Sequence, residues 1–94
     1  MRAVFHDAVL AESAATVVVE GNHYFPADSV NWELLEPTDT STRCPWKGQA
    51  SYYTAKVDGQ VGTDVAWTYL QPLPAAKNIT GHVAFWKGVR VEQS

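Results

Sequence analysis

Apolar side chains recur at every second position through most of this chain, and β-branched and aromatic residues fill those positions. That period suits an extended backbone, whose side chains alternate between two faces. Strands are predicted at Arg2 to His6, Val9 to Glu12, Thr16 to Glu20, His23 to Phe25, Gln49 to Val57, Asp64 to Leu70, Gly81 to Lys87 and Val89 to Glu92. Val17, Val18 and Val19 in succession predict a strand packed on both faces. Gly21-Asn22 and Asp58-Gly59 supply tight turns, and Pro26 ends the strand before it. One short helix is predicted, capped by Asp28 or Ser29 and continuing to Leu35. Glu36 to Asp39 reads as a loop, and the prolines at 72 and 74 precede one helical turn from Ala75 to Ile79. The expected class is all-β and mainly antiparallel, a two-sheet sandwich or partly open barrel with one short helix.

Ninety-four residues make a single domain, 1–94, with one modest core. The formal net charge is −3 and the acidic residues are scattered. No basic stripe is present, so nucleic acid is not an expected partner. The single cysteine can form no internal disulfide and supplies no paired thiolates for zinc. No cofactor is indicated. The N-terminus lacks the pattern of a signal peptide, and the apolar runs fall short of the roughly 20 residues that a bilayer span needs. A cytoplasmic protein without a membrane partner is expected, and the glycosylation sequon at Asn78-Ile79-Thr80 then has no meaning.

Candidate chemistry concentrates in Cys44-Pro45-Trp46-Lys47-Gly48, followed closely by Tyr52-Tyr53. A thiol, an indole, an ammonium group and phenols stand together there in a turn bracketed by proline and glycine. Cys44 is a nucleophile if its thiolate is favoured by Lys47 or Arg43 and a base such as His23 lies close; otherwise it is a small buried hydrophobe. Lys47 would hold an anionic ligand or lie over an indole, unless it is a solvated loop lysine. His23 would donate to a ligand, orient Cys44, or merely cap local backbone groups. His6 and His82 lack clustered partners and read as structural.

Alternation sorts the remaining rings. Val65, Trp67 and Tyr69 fall on one face of their strand, and Val83 and Phe85 oppose His82, Ala84 and Trp86. Tyr24, Tyr52, Trp67, Tyr69 and Trp46 either fill a core or line a pocket with apolar walls and polar tips. Eleven aromatic rings are many for so small a core, which argues that some line a surface groove.

Several segments match a known family in order: Ala11-Glu12-Ser13, Val19 through Pro26, Cys44 through Gly48, Tyr52-Tyr53, Ala66 through Tyr69, and Gly81 through Phe85. The chain resembles domain-of-unknown-function family 427 almost end to end. That resemblance implies a beta-tent fold, in which two antiparallel sheets meet at an angle. Relatives of that architecture include methionine sulfoxide reductase B and the ligand-binding domain of cereblon. The four-cysteine zinc site common among beta-tent proteins does not carry over to a chain with one cysteine. A nucleotidyltransferase-like label has been attached to the family, but no Gly-Ser followed by paired aspartates and no glycine-rich phosphate loop is present.

Three functions are expected from these residues. The first is a binding module holding a small organic or peptidic ligand in an aromatic-lined cleft between two sheets. Trp67 and Tyr69 would form its wall, Tyr24 and Tyr52 would offer hydroxyls, and Lys47 would meet negative charge. Cys44, Trp46 and His23 would shape the rim. The second is a thiol-dependent enzyme using Cys44 with His23 or Lys47. The third is a structural or interaction protein, a monomer or weak homodimer, pairing through Trp86, Phe85 or the edge Val89 to Glu92.

Overall fold

The computed structural model describes residues 1–94. Nine strands account for most of the chain: β1 Arg2–Phe5, β2 Ala8–Glu12, β3 Val17–Val19, β4 Asn22–Tyr24, β5 Leu35–Cys44, β6 Gly48–Val57, β7 Gln60–Thr68, β8 Val83–Phe85 and β9 Arg90–Glu92. All strand pairs are antiparallel. They form a three-stranded sheet in the order β2-β1-β9, a β3-β4 ribbon, and a four-stranded sheet in the order β5-β6-β7-β8. A bridge between Phe25 and Val83 ties the end of β4 to β8. The fold is all-β and does not close into a barrel.

Both faces of the four-stranded sheet are used. One cross-strand row holds Tyr53, Ala66 and Phe85, and the next holds Tyr52, Trp67 and Ala84. The first row packs into the main core with Phe5, Leu10, Phe25 and Val83, against the three-stranded sheet. The second row belongs to a smaller core of Tyr24, Ala50, Tyr69, Ala76, Ile79 and Ala84, beside the β3-β4 ribbon. One sheet thus separates a dry core from a face rich in rings. Gly62 permits the main core to close, since a Cβ there would lie 2.9 Å from both Phe5 Cζ and Val65 Cγ1.

Several expectations are corrected. Val17–Val19 is not covered on both faces: Val18 is 57 % exposed, because β3 is the outer strand of a two-stranded ribbon. The turn after it is made by Glu20-Gly21 rather than Gly21-Asn22, since Val19 pairs directly with Asn22. The helix predicted from Asp28 or Ser29 to Leu35 is two separate 3-10 turns, Ala27–Ser29 and Trp32–Leu34, neither with a side-chain cap. Between them Val30 bridges Ala11, and the Asn31 N–H donates to the Leu10 carbonyl at 2.7 Å. Those bonds to β2 take the backbone groups that a continuous helix would need. Glu36 to Asp39 lies within β5, which carries an irregularity between Pro37 and Ser41. Val65 leaves the face of Trp67 and joins the main core, because the pairing of β6 with β7 slips between Tyr53 and Ala55.

Candidate functional site

Cys44 pairs with Gly48, so Pro45-Trp46-Lys47 is the loop joining β5 to β6. Gly48 sits at φ +105°, and a Cβ there would meet the backbone nitrogen of Leu73 at 3.3 Å. That close approach lets the Leu73 N–H donate to the Lys47 carbonyl at 2.9 Å. Lys47 is therefore held by its own backbone before its side chain makes any contact.

The Lys47 side chain runs inward and the residue is only 7 % exposed. Its ammonium donates to the Glu20 carboxylate. It also lies 5.4 Å from the ring centroid of Trp46 and 5.6 Å from that of Tyr69. Burial alone would lower the Lys47 pKa, but the bond to Glu20 and the nearby Tyr24 and Tyr69 oxygens outweigh it, and the net direction is upward. The same hydrogen bond holds the Glu20 carboxyl below its ordinary value, against a smaller opposing effect of desolvation. Glu20 occupies the left-handed region at φ +54°, an unfavourable place for a glutamate.

Beside this ion pair the surface opens into a cleft of about 290 Å³, lined by Asn22, Lys47, Tyr52, Trp67, Tyr69 and Trp86. The two indoles meet edge to face at 5.7 Å. The Trp67 indole N–H donates to the Tyr24 hydroxyl at 3.2 Å, and the Trp86 indole N–H to the Asp64 carbonyl at 2.7 Å. Asp64 stands in the irregular part of β7 at φ +53°. Its carboxylate accepts 2.7 Å bonds from Thr38 and Thr40, which hold its pKa down. The Tyr52 hydroxyl bonds Thr42 at 2.9 Å, and burial raises the Tyr69 pKa. Tyr52, Trp67 and Trp86 are thus each fixed by a hydrogen bond.

Of the residues singled out from the sequence, Lys47, Tyr52, Trp67 and Tyr69 meet at the cleft. Tyr24 is wholly buried behind Trp67. Trp46 stands outside the lining, with its ring beside the Lys47 ammonium. Cys44 is partly buried against the smaller core, and no hydrogen bond reaches its thiol. His23 alternates with Asn22 and Tyr24 along β4, and its Nδ1 lies 2.8 Å from Thr16 Oγ1. It is turned away from the cleft.

Sequence reasoning missed Asn22 and Glu20, and it assigned Trp86 to a pairing surface rather than to the cleft lining. Alternation with Tyr24 would have flagged Asn22. Nothing local marks Glu20, whose partner lies 27 residues away. A second hollow of about 300 Å³, lined by Gln49, Ser51, Leu70 and Gln71, has neither charge nor ring. No three His, Cys, Asp or Glu side chains come together so as to hold a metal ion. No helix is long and apolar enough to cross a membrane.

Fold and cleft together define a small all-β domain with one aromatic-walled hollow beside a shielded lysine. A family model described as a domain of unknown function, DUF427, matches residues 1–94. The chain belongs to that family over its whole length. No curated protein matches it significantly.

Proposed function

We propose that this domain is a binding module, holding a small organic or peptidic ligand in the cleft between the β3-β4 ribbon and the four-stranded sheet. The observation that carries the reading is the cleft itself. About 290 Å³ of space is bounded by Trp67, Trp86, Tyr52 and Tyr69, with the Lys47 ammonium at its edge. Such a hollow is near the lower limit for small-molecule sites, whose usual design is apolar walls with a few placed polar groups. Flat aromatic walls favour a ligand with a ring or other planar body, which stacks or packs edge to face. Lys47 and Asn22 supply donors that orient it.

A thiol enzyme draws less support. Its proposed base, His23, is bonded to Thr16, and the Lys47 ammonium is bonded to Glu20. Neither partner makes a hydrogen bond to Cys44. The interaction reading draws on Trp86, 45 % exposed at the rim, and on β9 as an edge strand, whereas Phe85 is buried in the main core.

The test is a screen of metabolites and short peptides by ligand-observed NMR, repeated on Trp86→Ala. Trp86 is partly exposed, and its loss opens one wall without emptying a core. Hits whose saturation transfer weakens in the variant place the ligand in the cleft. Hits unaffected by the variant, or no hits across a broad library, would count against a binding role for this cleft.

A further inference from the structure

Lys47 and Glu20 are unequal partners. The Lys47 side chain is 8 % exposed, whereas that of Glu20 is 53 % exposed. The glutamate can turn into water without losing hydration, and the lysine cannot follow it. The lysine also keeps its two ring contacts, Trp46 and Tyr69, if the carboxylate leaves. A buried ammonium without an anion or other acceptor is costly, so its place opposite Nζ must be refilled. Glu20 moreover holds the left-handed backbone that a glutamate disfavours, in the turn at the tip of the two-stranded β3-β4 ribbon. Backbone strain of this kind persists where surrounding contacts enforce it. The cleft lies directly beside the pair, because Lys47 itself lines it.

We infer that Glu20 is an exchangeable internal ligand, and that the cleft takes a flat organic carboxylate which replaces the Glu20 side chain at the Lys47 ammonium. This deepens the binding reading above and rests on it. The planar body of the ligand packs on the ring surface made by Tyr52, Trp67, Tyr69 and Trp86, while its carboxylate accepts from Nζ. One charge-assisted bond is exchanged for another, so the net gain comes from ring burial and from release of the turn. Competition by Glu20 lowers the observed affinity by the fraction of molecules in which Lys47 is free. The internal carboxylate thereby rejects small anions that lack a ring, since these cannot offset the displacement.

The experiment compares 2-naphthoate with 2-naphthamide, which share a ring system and differ in charge. Binding is followed by the Trp67 and Trp86 indole N–H resonances in wild type, Glu20→Gln and Glu20→Gly. The glycine variant suits the left-handed turn, so it stays folded even if the glutamine variant does not. Naphthoate is expected to bind wild type, and to bind both variants about tenfold more tightly, in line with loss of a charged competitor. The amide is expected to change by less than about twofold, since a neutral carboxamide does not displace the Glu20 carboxylate from Lys47 and binds through its rings alone. In wild type, naphthoate should also return the Glu20 carboxyl titration, read from its 13Cδ shift, towards the ordinary glutamate value.

If the amide binds and naphthoate gains nothing from either variant, the exchange is wrong and the cleft reading survives. If neither compound moves the Trp67 and Trp86 resonances in any of the three proteins, both the exchange and the cleft reading fail.

Discussion

The indole N–H of Trp67 donates to the hydroxyl of Tyr24 at 3.2 Å, and the two rings meet edge to face at 89°. One half-exposed wall of the cleft is thus tied to a ring with no exposure at all. The bond crosses from the β3-β4 ribbon to the four-stranded sheet and sets the angle at which the Trp67 face looks outward. Tyr24→Phe is expected to cost about 1 kcal/mol, the ordinary net worth of one such bond. Calorimetry should record a fall in Tm of roughly 4–8 °C for a domain of this size. An unchanged Trp67 indole resonance in the variant would show that the bond does not form in solution.

The Glu20–Lys47 pair makes stability depend on pH at both ends. The Glu20 pKa is lower in the folded chain than its ordinary value of 4.5, so its contribution is complete above that value and disappears as pH falls through the folded one. The Lys47 pKa is higher than 10.5, so its contribution is complete below that value and disappears as pH rises through the folded one. Between these limits the pair contributes a constant amount. Asp64 and Glu92 are also shifted downward, so the acid limb must be isolated by difference. Urea unfolding of wild type and Glu20→Gln should give a stability gap that is flat near neutrality and shrinks below pH 4.5. A gap independent of pH down to pH 2 would mean that the pair is not formed.

Asp64 serves two structural needs, which asparagine meets in part and alanine meets in neither respect. Its carboxylate accepts from Thr38 and Thr40, and its backbone takes a φ of +53°. Asparagine keeps one acceptor oxygen and tolerates the left-handed region, while alanine offers neither advantage. Asp64→Ala is therefore expected to melt below Asp64→Asn, and Asp64→Asn below wild type. Because the Asp64 carbonyl also anchors the Trp86 indole, the alanine variant should shift the Trp86 N–H resonance more than the asparagine variant. Equal melting of the two variants would refute a role for the backbone conformation.

Gly62 is expected to reject even a methyl group. An added Cβ at 2.9 Å from Phe5 and Val65 must push apart two packed core side chains. Gly62→Ala should destabilise by about 1–3 kcal/mol, the usual range for overpacking, measured by chemical denaturation. The paired variant Gly62→Ala with Phe5→Leu should recover part of that loss, whereas purely additive losses would place the strain elsewhere.

Cys44 packs against the smaller core, and no side chain hydrogen-bonds to its thiol. Iodoacetamide should alkylate it at least about tenfold more slowly in the native protein than in urea, as expected for a thiol that owes its limited access to packing. The native rate should be the same in His23→Ala, whose ring is engaged by Thr16 instead. Fast native alkylation that is lost in His23→Ala would revive the thiol-enzyme reading.

Much of this protein was legible in its sequence because strand periodicity is a local property. The alternation through Gln49–Val57 and around Trp67 located the central strands, and it also set Ala84 and Trp86 opposite Phe85, as observed. Asp58-Gly59 marked its hairpin, where both residues adopt positive φ. Gly48 closed the Cys44 turn, as the bracketing of that segment implied. Each of these depends on a few neighbouring residues.

The tertiary structure decided what depends on distant partners. Val65 left its expected face because an irregularity in the β6-β7 pairing shifted the register, and no composition rule announces a slip of that kind. The segment from Asp28 to Leu35 lost its helix to backbone bonds from β2. Lys47 could be singled out as a candidate, but its state could not, because its counter-charge sits on another turn and its burial is created by rings from several strands. His23 was equally plausible in one dimension, and a single step of alternation turned it from the cleft that Asn22 lines. Backbone patterning is written residue by residue, whereas the electrostatic environment of a side chain exists only once separate strands have been brought together.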